Sequence, residues 1–355
     1  MKKFLLMAIT MCISCFVFAQ EEGVRIQHVE CIPMGDGTMV YRYATGDKKH
    51  LDGECRLVVS EREYLIAVFN DGLPDGKWET YRYNTLYENR NYKNGKLDGN
   101  VTTYDSDGKT VVKEFTSSNG KRNGRYTTYY TNGQLQKEQE YKDGKEHGYL
   151  RTYDKDGIIR QDCYYEEGKR HGRQIIFYNR DYEGYVQTSY YEHGVLVGDY
   201  SELYEDGAIK TKGKYDKAGK KTGLWIIAEK DGSIQDESEY ENGMRNGKRI
   251  AYFVDGTVSS IRTYKNDKLH GSTIYNRYST HKVQNERMYA DGVLNGPFKD
   301  YYEDGSVEAE GEYVKGNKAS QKTYHTNGKA STVEKAEGSV LKTLEKYDKN
   351  GNEIR

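Results

Sequence analysis

Proline is almost missing from this chain, with 3 among 355 residues, and so is net charge: 54 basic residues stand against 55 acidic ones. Leucine, isoleucine, valine and phenylalanine together make about 18 %, under the ~20 % at which disorder becomes a live alternative. Disorder also needs a large net charge, which is not there. The near-zero balance gives no electrostatic reason for a nucleic acid or an anionic membrane as partner. Sequence signatures of chemistry are lacking too: no HExxH or G-x-S-x-G, no CxxC outside the apolar N-terminal run that holds Cys12 and Cys15, and no phosphate loop ending in Gly-Lys-Ser/Thr. The dense D-x-D-x-D spacing of a calcium loop is absent. Carboxylates are so numerous that a pair at glycosidase spacing would arise by chance. The expectation is a non-enzyme with no catalytic residue, no metal and no cofactor.

Cysteine is scarce as well. Cys12 and Cys15 fall in an apolar run from Phe4 to Ala19 that follows Lys2 and Lys3. A basic start, a short apolar centre and small residues before Gln20 describe a secretory signal over residues 1–19, cleaved after Ala19. That predicts an exported chain: periplasmic, outer-membrane-associated or secreted, with no membrane span after cleavage. The remaining cysteines are Cys31, Cys55 and Cys163. Cys31 and Cys55 are 24 residues apart, so in a ladder of hairpins they would sit two strand spacings apart, roughly 9.5 Å. That is beyond the reach of a disulfide.

What the chain has in abundance is tyrosine, 35 copies, whose rings bury well while the hydroxyl stays wet or bonded. The tyrosines are periodic. Phe69, Tyr92, Phe115, Tyr141, Tyr165, Tyr191, Tyr215, Tyr240, Tyr264, Tyr289 and Tyr313 follow one another at steps of 23 to 26 residues, the signature of a repeat architecture.

Each repeat carries two turn signals. The first is G-x-x-x-G, as at Gly95/Gly99, Gly144/Gly148 and Gly243/Gly247. The residue before its second glycine is usually Asn, Asp or His, among them Asp75, Asp98, Asn123, His147 and His171. Those are the non-glycine types enriched at positive φ, so a left-handed backbone is expected there, and His147 and His171 are read as turn residues rather than metal ligands. The second signal is Asp-Gly or Asn-Gly, as at Asp107-Gly108 and Asp255-Gly256, which favours tight two-residue connections. Two turns per repeat mean two strands per repeat. The chain is therefore expected to be all-β, an elongated single-sheet solenoid of tandem antiparallel β-hairpins. Residues 20–68 form an N-terminal β cap, 69–324 the regular array, and 325–355 a polar closing cap or frayed tail.

Within the first strand of a repeat the second residue after the glycine is usually bulky, as in Trp78 and Trp225, and the fifth is aromatic in most copies. These positions have opposite parity. Either a bulge intervenes or both faces carry rings, and the sequence leaves this open. Rows of Tyr and Trp flanked by Lys, Arg and Glu have the composition of recognition surfaces. The candidate binding residues are Trp78, Tyr81, Tyr104, Tyr129, Tyr153, Trp225, Tyr252 and Tyr301.

Units such as Tyr141–Tyr165 and Tyr289–Tyr313, with G-x-x-x-G (G-K-x-x-G in the first), a central Tyr, a D-G turn and a strand returning to Tyr, resemble the bacterial variant of the MORN repeat. The resemblance implies hairpins stacked into a curved sheet, and a role as an interaction scaffold or as a YwqK-type antitoxin. The export signal favours the scaffold: a non-catalytic protein that docks an unidentified protein partner in the cell envelope. Neutralisation of a cognate effector is the alternative, and glycan binding through exposed Tyr and Trp a weaker one.

Overall fold

The computed structural model describes residues 23–178 and 184–354. The expected signal, residues 1–19, lies outside them. The described residues fall into two compact units that divide between His171 and Gly172. Each is an open sheet in which successive strands pair antiparallel, so the all-β hairpin-repeat expectation holds in both. Among the described residues no helix is long and apolar enough to cross a membrane.

In the first unit the sheet starts at Gly53–Ser60 and proceeds through Glu63–Asn70, Leu73–Arg82 and Thr85–Lys93 to Lys145–Tyr153 and Ile159–Glu166. In the N-terminal cap, Asp36-Gly37 lies between two strand-like runs, Val24–Ile32 and Thr38–Ala44, a signal for one hairpin. The hairpin is shorter, Val29–Pro33 against Met39–Tyr43, and forms a small separate sheet. Val24 and Arg25 leave it to pair parallel with Leu57 and Val58. This arrangement covers the first rungs. Leu51, Leu57, Ala67, Phe69 and Trp78 form a buried cluster, and Val24, Val29, Tyr41 and Tyr43 pack onto it. The Tyr41 ring lies 5.3 Å from that of Phe69 and 5.8 Å from that of Trp78. Terminal repeats of a stacked array need such a cover because they lack a neighbour on one side. Cys31, Cys55 and Cys163 are all free thiols.

The second unit runs from Gly172–Tyr178 and Tyr185–Glu192 through Val195–Tyr204, Lys221–Ala228 and Met244–Tyr252 to Val293–Tyr301 and Val307–Val314. Pairing carries on past residue 324, with Ala330–Glu337 against Val340–Lys346.

The turn assignment changes. The left-handed residues are those before the first glycine of G-x-x-x-G, not the second: Asp71, Asn94, Asn119, Asp143, Asn242 and Asp291 have φ between 47° and 52°, and each is followed by a left-handed glycine. Two consecutive left-handed residues define the two-residue turn whose twist matches paired strands. The Asp-Gly and Asn-Gly pairs of the second signal, such as Asp107-Gly108 and Asp255-Gly256, instead close wider turns in which only the glycine is left-handed. There the Gly108 N–H donates to the Asp105 carbonyl at 3.0 Å, and the Asp107 carboxylate accepts from the Lys109 N–H at 2.8 Å.

The Asn, Asp or His before the second glycine has another task. Its side chain accepts a hydrogen bond from the left-handed residue of the following turn: Asn119 N–H to Asp98 Oδ2 at 3.0 Å, Lys315 N–H to Asn295 Oδ1 at 3.1 Å, Asp291 N–H to His270 Nδ1 at 3.3 Å. The first glycines reinforce the stack, as where Gly144 N–H donates to the Arg122 carbonyl and Gly292 N–H to the Leu269 carbonyl. The position selects for a short acceptor, which explains the same three residue types without a left-handed backbone.

Candidate functional site

The two faces of the sheet are chemically different. One carries a buried row in which each strand contributes a residue directly opposite its neighbours: in the first unit Tyr126, Gln139, Leu150 and Cys163, in the second Trp225 and Ser238. Trp78 and Trp225 belong to this face, with 7 % and 4 % of their surface exposed. Trp78 donates its indole N–H to the Val68 carbonyl at 3.2 Å. Trp225 lies 5.1 Å from the ring of Tyr215 and 5.7 Å from that of Tyr200, with the Lys221 ammonium 3.9 Å from its centre. Its neighbour on the preceding strand is Gly213, where a Cβ would come within 2.2 Å of the indole. Both tryptophans therefore serve as packing groups.

The tyrosines at the fifth position point the other way. A register shift falls between the fourth and fifth residues of the strand, as at Thr128/Tyr129, Thr152/Tyr153, Ala251/Tyr252 and Asp300/Tyr301. Their hydroxyls nevertheless reach carboxylates on the opposite face. Gln139 is 1 % exposed and lies in the buried row, so Glu138 beside it faces away. Tyr153 donates to Glu138 at 2.7 Å. The same bond recurs between Tyr129 and Glu114, Tyr252 and Glu237, and Tyr301 and Glu286, always fifteen residues apart. Tyr81 stacks on Tyr64 at 4.8 Å and bonds Glu79. Tyr104 lines a cleft of about 580 Å³ with Tyr83, Leu86 and Tyr87. Bulges and two-sided aromatics thus coexist.

This outward face is richest in the first unit, around Glu138. Arg125 and Arg151 both contact its carboxylate, and Arg151 also pairs with Asp162 at 3.1 Å. Burial raises the Glu138 pKa, but the Tyr153 phenol and the two guanidiniums outweigh it and hold the carboxyl below its ordinary value. Burial and the carboxylate bond both push Tyr153 above the ordinary phenol range. Tyr149 and Tyr164 complete the patch, 5.2 Å apart and edge to face, with the Arg151 guanidinium 4.7 Å from the Tyr149 ring. Tyr149 is 47 % exposed. The sequence reading did not single out Tyr149, Tyr164 or the two arginines. Their parity against Leu150 and Cys163 was the available signal.

The patch offers planar rings, phenols and forked guanidiniums on a fixed lattice. It holds no activated thiol: Cys163 lies on the other face and burial pushes its pKa up. His147 and His171 are on the turn-side end of their strands. The His171 ring nitrogen sits 3.6 Å from Glu166, and the His171 backbone N–H donates to the Tyr164 carbonyl at 2.9 Å.

Two segments, residues 122–143 and 294–315, match the MORN repeat variant. Each spans a first strand, the wide turn and the returning strand, and ends on a left-handed residue, Asp143 or Lys315. No curated protein matches. Among solved structures the chain is similar to one in the crystal structure of TcdB2-TccC3-Cdc42, at 11 % identity and a TM-score of 0.17, over 90 % of this chain and 21 % of that one. The chain thus spans about a fifth of the length of that protein.

Proposed function

We propose that this protein is a non-catalytic repeat scaffold, exported to the cell envelope, that holds a protein partner against the tyrosine–carboxylate–arginine face. The observation that supports this reading is the phenol–carboxylate bond repeated at a fifteen-residue spacing in both units. Half-exposed tyrosines held by a charged acceptor lose little rotamer entropy on binding, and Tyr and Arg are enriched in binding hot spots. The centre of the footprint is Tyr149, Tyr153, Tyr164 and Arg151, with Tyr129, Tyr252 and Tyr301 as the same device on other strands; Tyr81, which bonds Glu79, and Tyr104, which lines a cleft, are further candidates without it.

The test is affinity capture from the envelope with the wild-type chain beside a Tyr149→Ala/Arg151→Ala variant. One protein should be recovered stoichiometrically by the wild type and lost with the variant, while circular dichroism stays unchanged. Equal recovery by both would reject this face. Cell fractionation decides between export and the inhibitor reading: a cytoplasmic chain that protects cells from a co-purifying toxic effector would replace the scaffold with the antitoxin. Glycan-array binding abolished by the same variant would replace the protein partner with a sugar.

A further inference from the structure

The buried row of the second unit changes character over five consecutive strands. On either side it holds rings, Trp225 and Phe298. Between them come Ser238, Arg249, Arg262, Thr273 and Arg287, each directly opposite the next. Arg249 and Arg262 are therefore a cross-strand pair of like charge, with Cβ atoms about 5 Å apart, an arrangement that costs stability on its own.

The local carboxylates neutralise only the Arg249 half of it. Asp236 binds Arg249 at 2.6 Å, Asp300 binds Arg287, and Asp267 binds Arg245 at 3.0 Å. No carboxylate among the described residues pairs with Arg262, whose guanidinium has only the Tyr275 ring 5.7 Å away. Two buried polar atoms in this stretch lack any partner: Arg262 Nε, and Oγ1 of Thr273, a residue with 0 % exposure. A buried, unsatisfied donor costs roughly 1–3 kcal/mol, and this row places two of them side by side. Next to the arginine pair, where Ser238 leaves out a ring, the surface opens into a cavity of about 670 Å³ whose lining includes Arg245, Arg249 and Ser238 together with the carboxylates Glu229, Asp231 and Asp236; Arg262 and Thr273 lie beyond its lining, on the two strands that follow Arg249.

We infer that this trough is an oxyanion site, built to take a ligand bearing two or more carboxylates between Arg249 and Arg262. The planar guanidinium fork suits a carboxylate bidentately, and Thr273 supplies a hydroxyl from the adjoining strand. A bound anion would relieve the like-charge pair and satisfy the two orphaned atoms together. The carboxylates can come from a free polycarboxylate or from the acidic side chains of a peptide. The site uses none of the residues at the centre of the tyrosine patch and stands or falls independently of it.

The full chain is titrated with citrate and, separately, with a short Glu-rich peptide, in buffer matched for ionic strength with sodium chloride. Calorimetry and thermal unfolding are read for the wild type and Arg262→Gln. The wild type should bind at least one probe and unfold at higher temperature with it. Arg262→Gln should bind about tenfold more weakly or worse, in line with loss of a charged hydrogen bond. Without anion it should be no less stable than the wild type, since the repulsion is gone. Preference for citrate or for peptide identifies the source. Arg262→Lys keeps the charge without the fork, so it should also bind weakly, and it serves if Arg262→Gln does not fold. Wild-type heats indistinguishable from chloride alone, or equal response in wild type and variants, would overturn the site.

Discussion

Tyr153 and Glu138 lie on different hairpins, fifteen residues apart, yet the phenol donates to the carboxylate at 2.7 Å. Glu138 in turn receives Arg125 and Arg151. One carboxylate thereby ties three strands on the outward face. Tyr153→Phe removes a single donor and leaves the two guanidiniums in place. On a half-exposed site screened by water the loss should be about 1 kcal/mol. Glu138→Ala strips the hub from all three and should cost more than Tyr153→Phe. Urea unfolding of both variants checks the order.

The same bond sets a pH dependence. Tyr129, Tyr153, Tyr252 and Tyr301 all have raised pKa values, from burial first and the carboxylate bond second, and Tyr324 is pushed up to about 12. A phenol with a folded pKa above its unfolded value of ~10 contributes stability that is complete below pH ~10 and is lost as pH rises through the folded value. Glu138 is shifted down, so its contribution is complete above its unfolded pKa of ~4.3 and disappears as pH falls through the folded value. Unfolding midpoints should therefore be flat near neutrality and fall at both extremes. The alkaline fall should shrink when Tyr129, Tyr153, Tyr252 and Tyr301 are all changed to Phe. An unchanged alkaline limb in that variant would disprove the assignment.

The repeat period, the two strands per repeat and the open hairpin architecture could be read from glycine and tyrosine spacing, because those residues mark turns and inward packing in every copy. The allocation of turn types could not. Asp-Gly serves both narrow and wide turns, and what separates them here is whether the chain closes in two residues, as at Asn94-Gly95, or wraps a carboxylate, as at Asp107. The preference for Asn, Asp and His before the second glycine has two physical explanations, left-handed backbone or acceptor side chain. Contacts such as that of Asn119 with Asp98, together with the φ values, separate them. Likewise, tryptophan composition alone could not show that Gly213 leaves room for Trp225 to lie flat on the sheet.

That turn assignment has a direct test. Asn119 has φ 48°, whereas Asn123 is not left-handed. A β-branched residue in the left-handed region costs about 1–2 kcal/mol, so Asn119→Val should destabilise by that amount, while Asn119→Gly should be nearly neutral. Asn123→Val, in an exposed strand position, should be tolerated. Denaturant midpoints that reverse the order of the two valine variants would restore the left-handed residue to the second glycine.

Gly213 gives the most local prediction. Its backbone is extended within the strand Ile209–Tyr215, so alanine meets no conformational penalty there. The obstacle is space: the added methyl would lie 2.2 to 2.7 Å from three atoms of the Trp225 indole, well inside contact distance. The ring cannot simply retreat, because Tyr215, Tyr200 and the Lys221 ammonium surround it. Overpacking of this kind costs about 1–3 kcal/mol. Gly213→Ala should lower stability by that amount and shift the tryptophan fluorescence towards the exposed, red-shifted state. Pairing it with Trp225→Leu, which removes the ring, should recover much of the loss contributed by the alanine. If the two changes instead add, the indole was never what kept residue 213 a glycine.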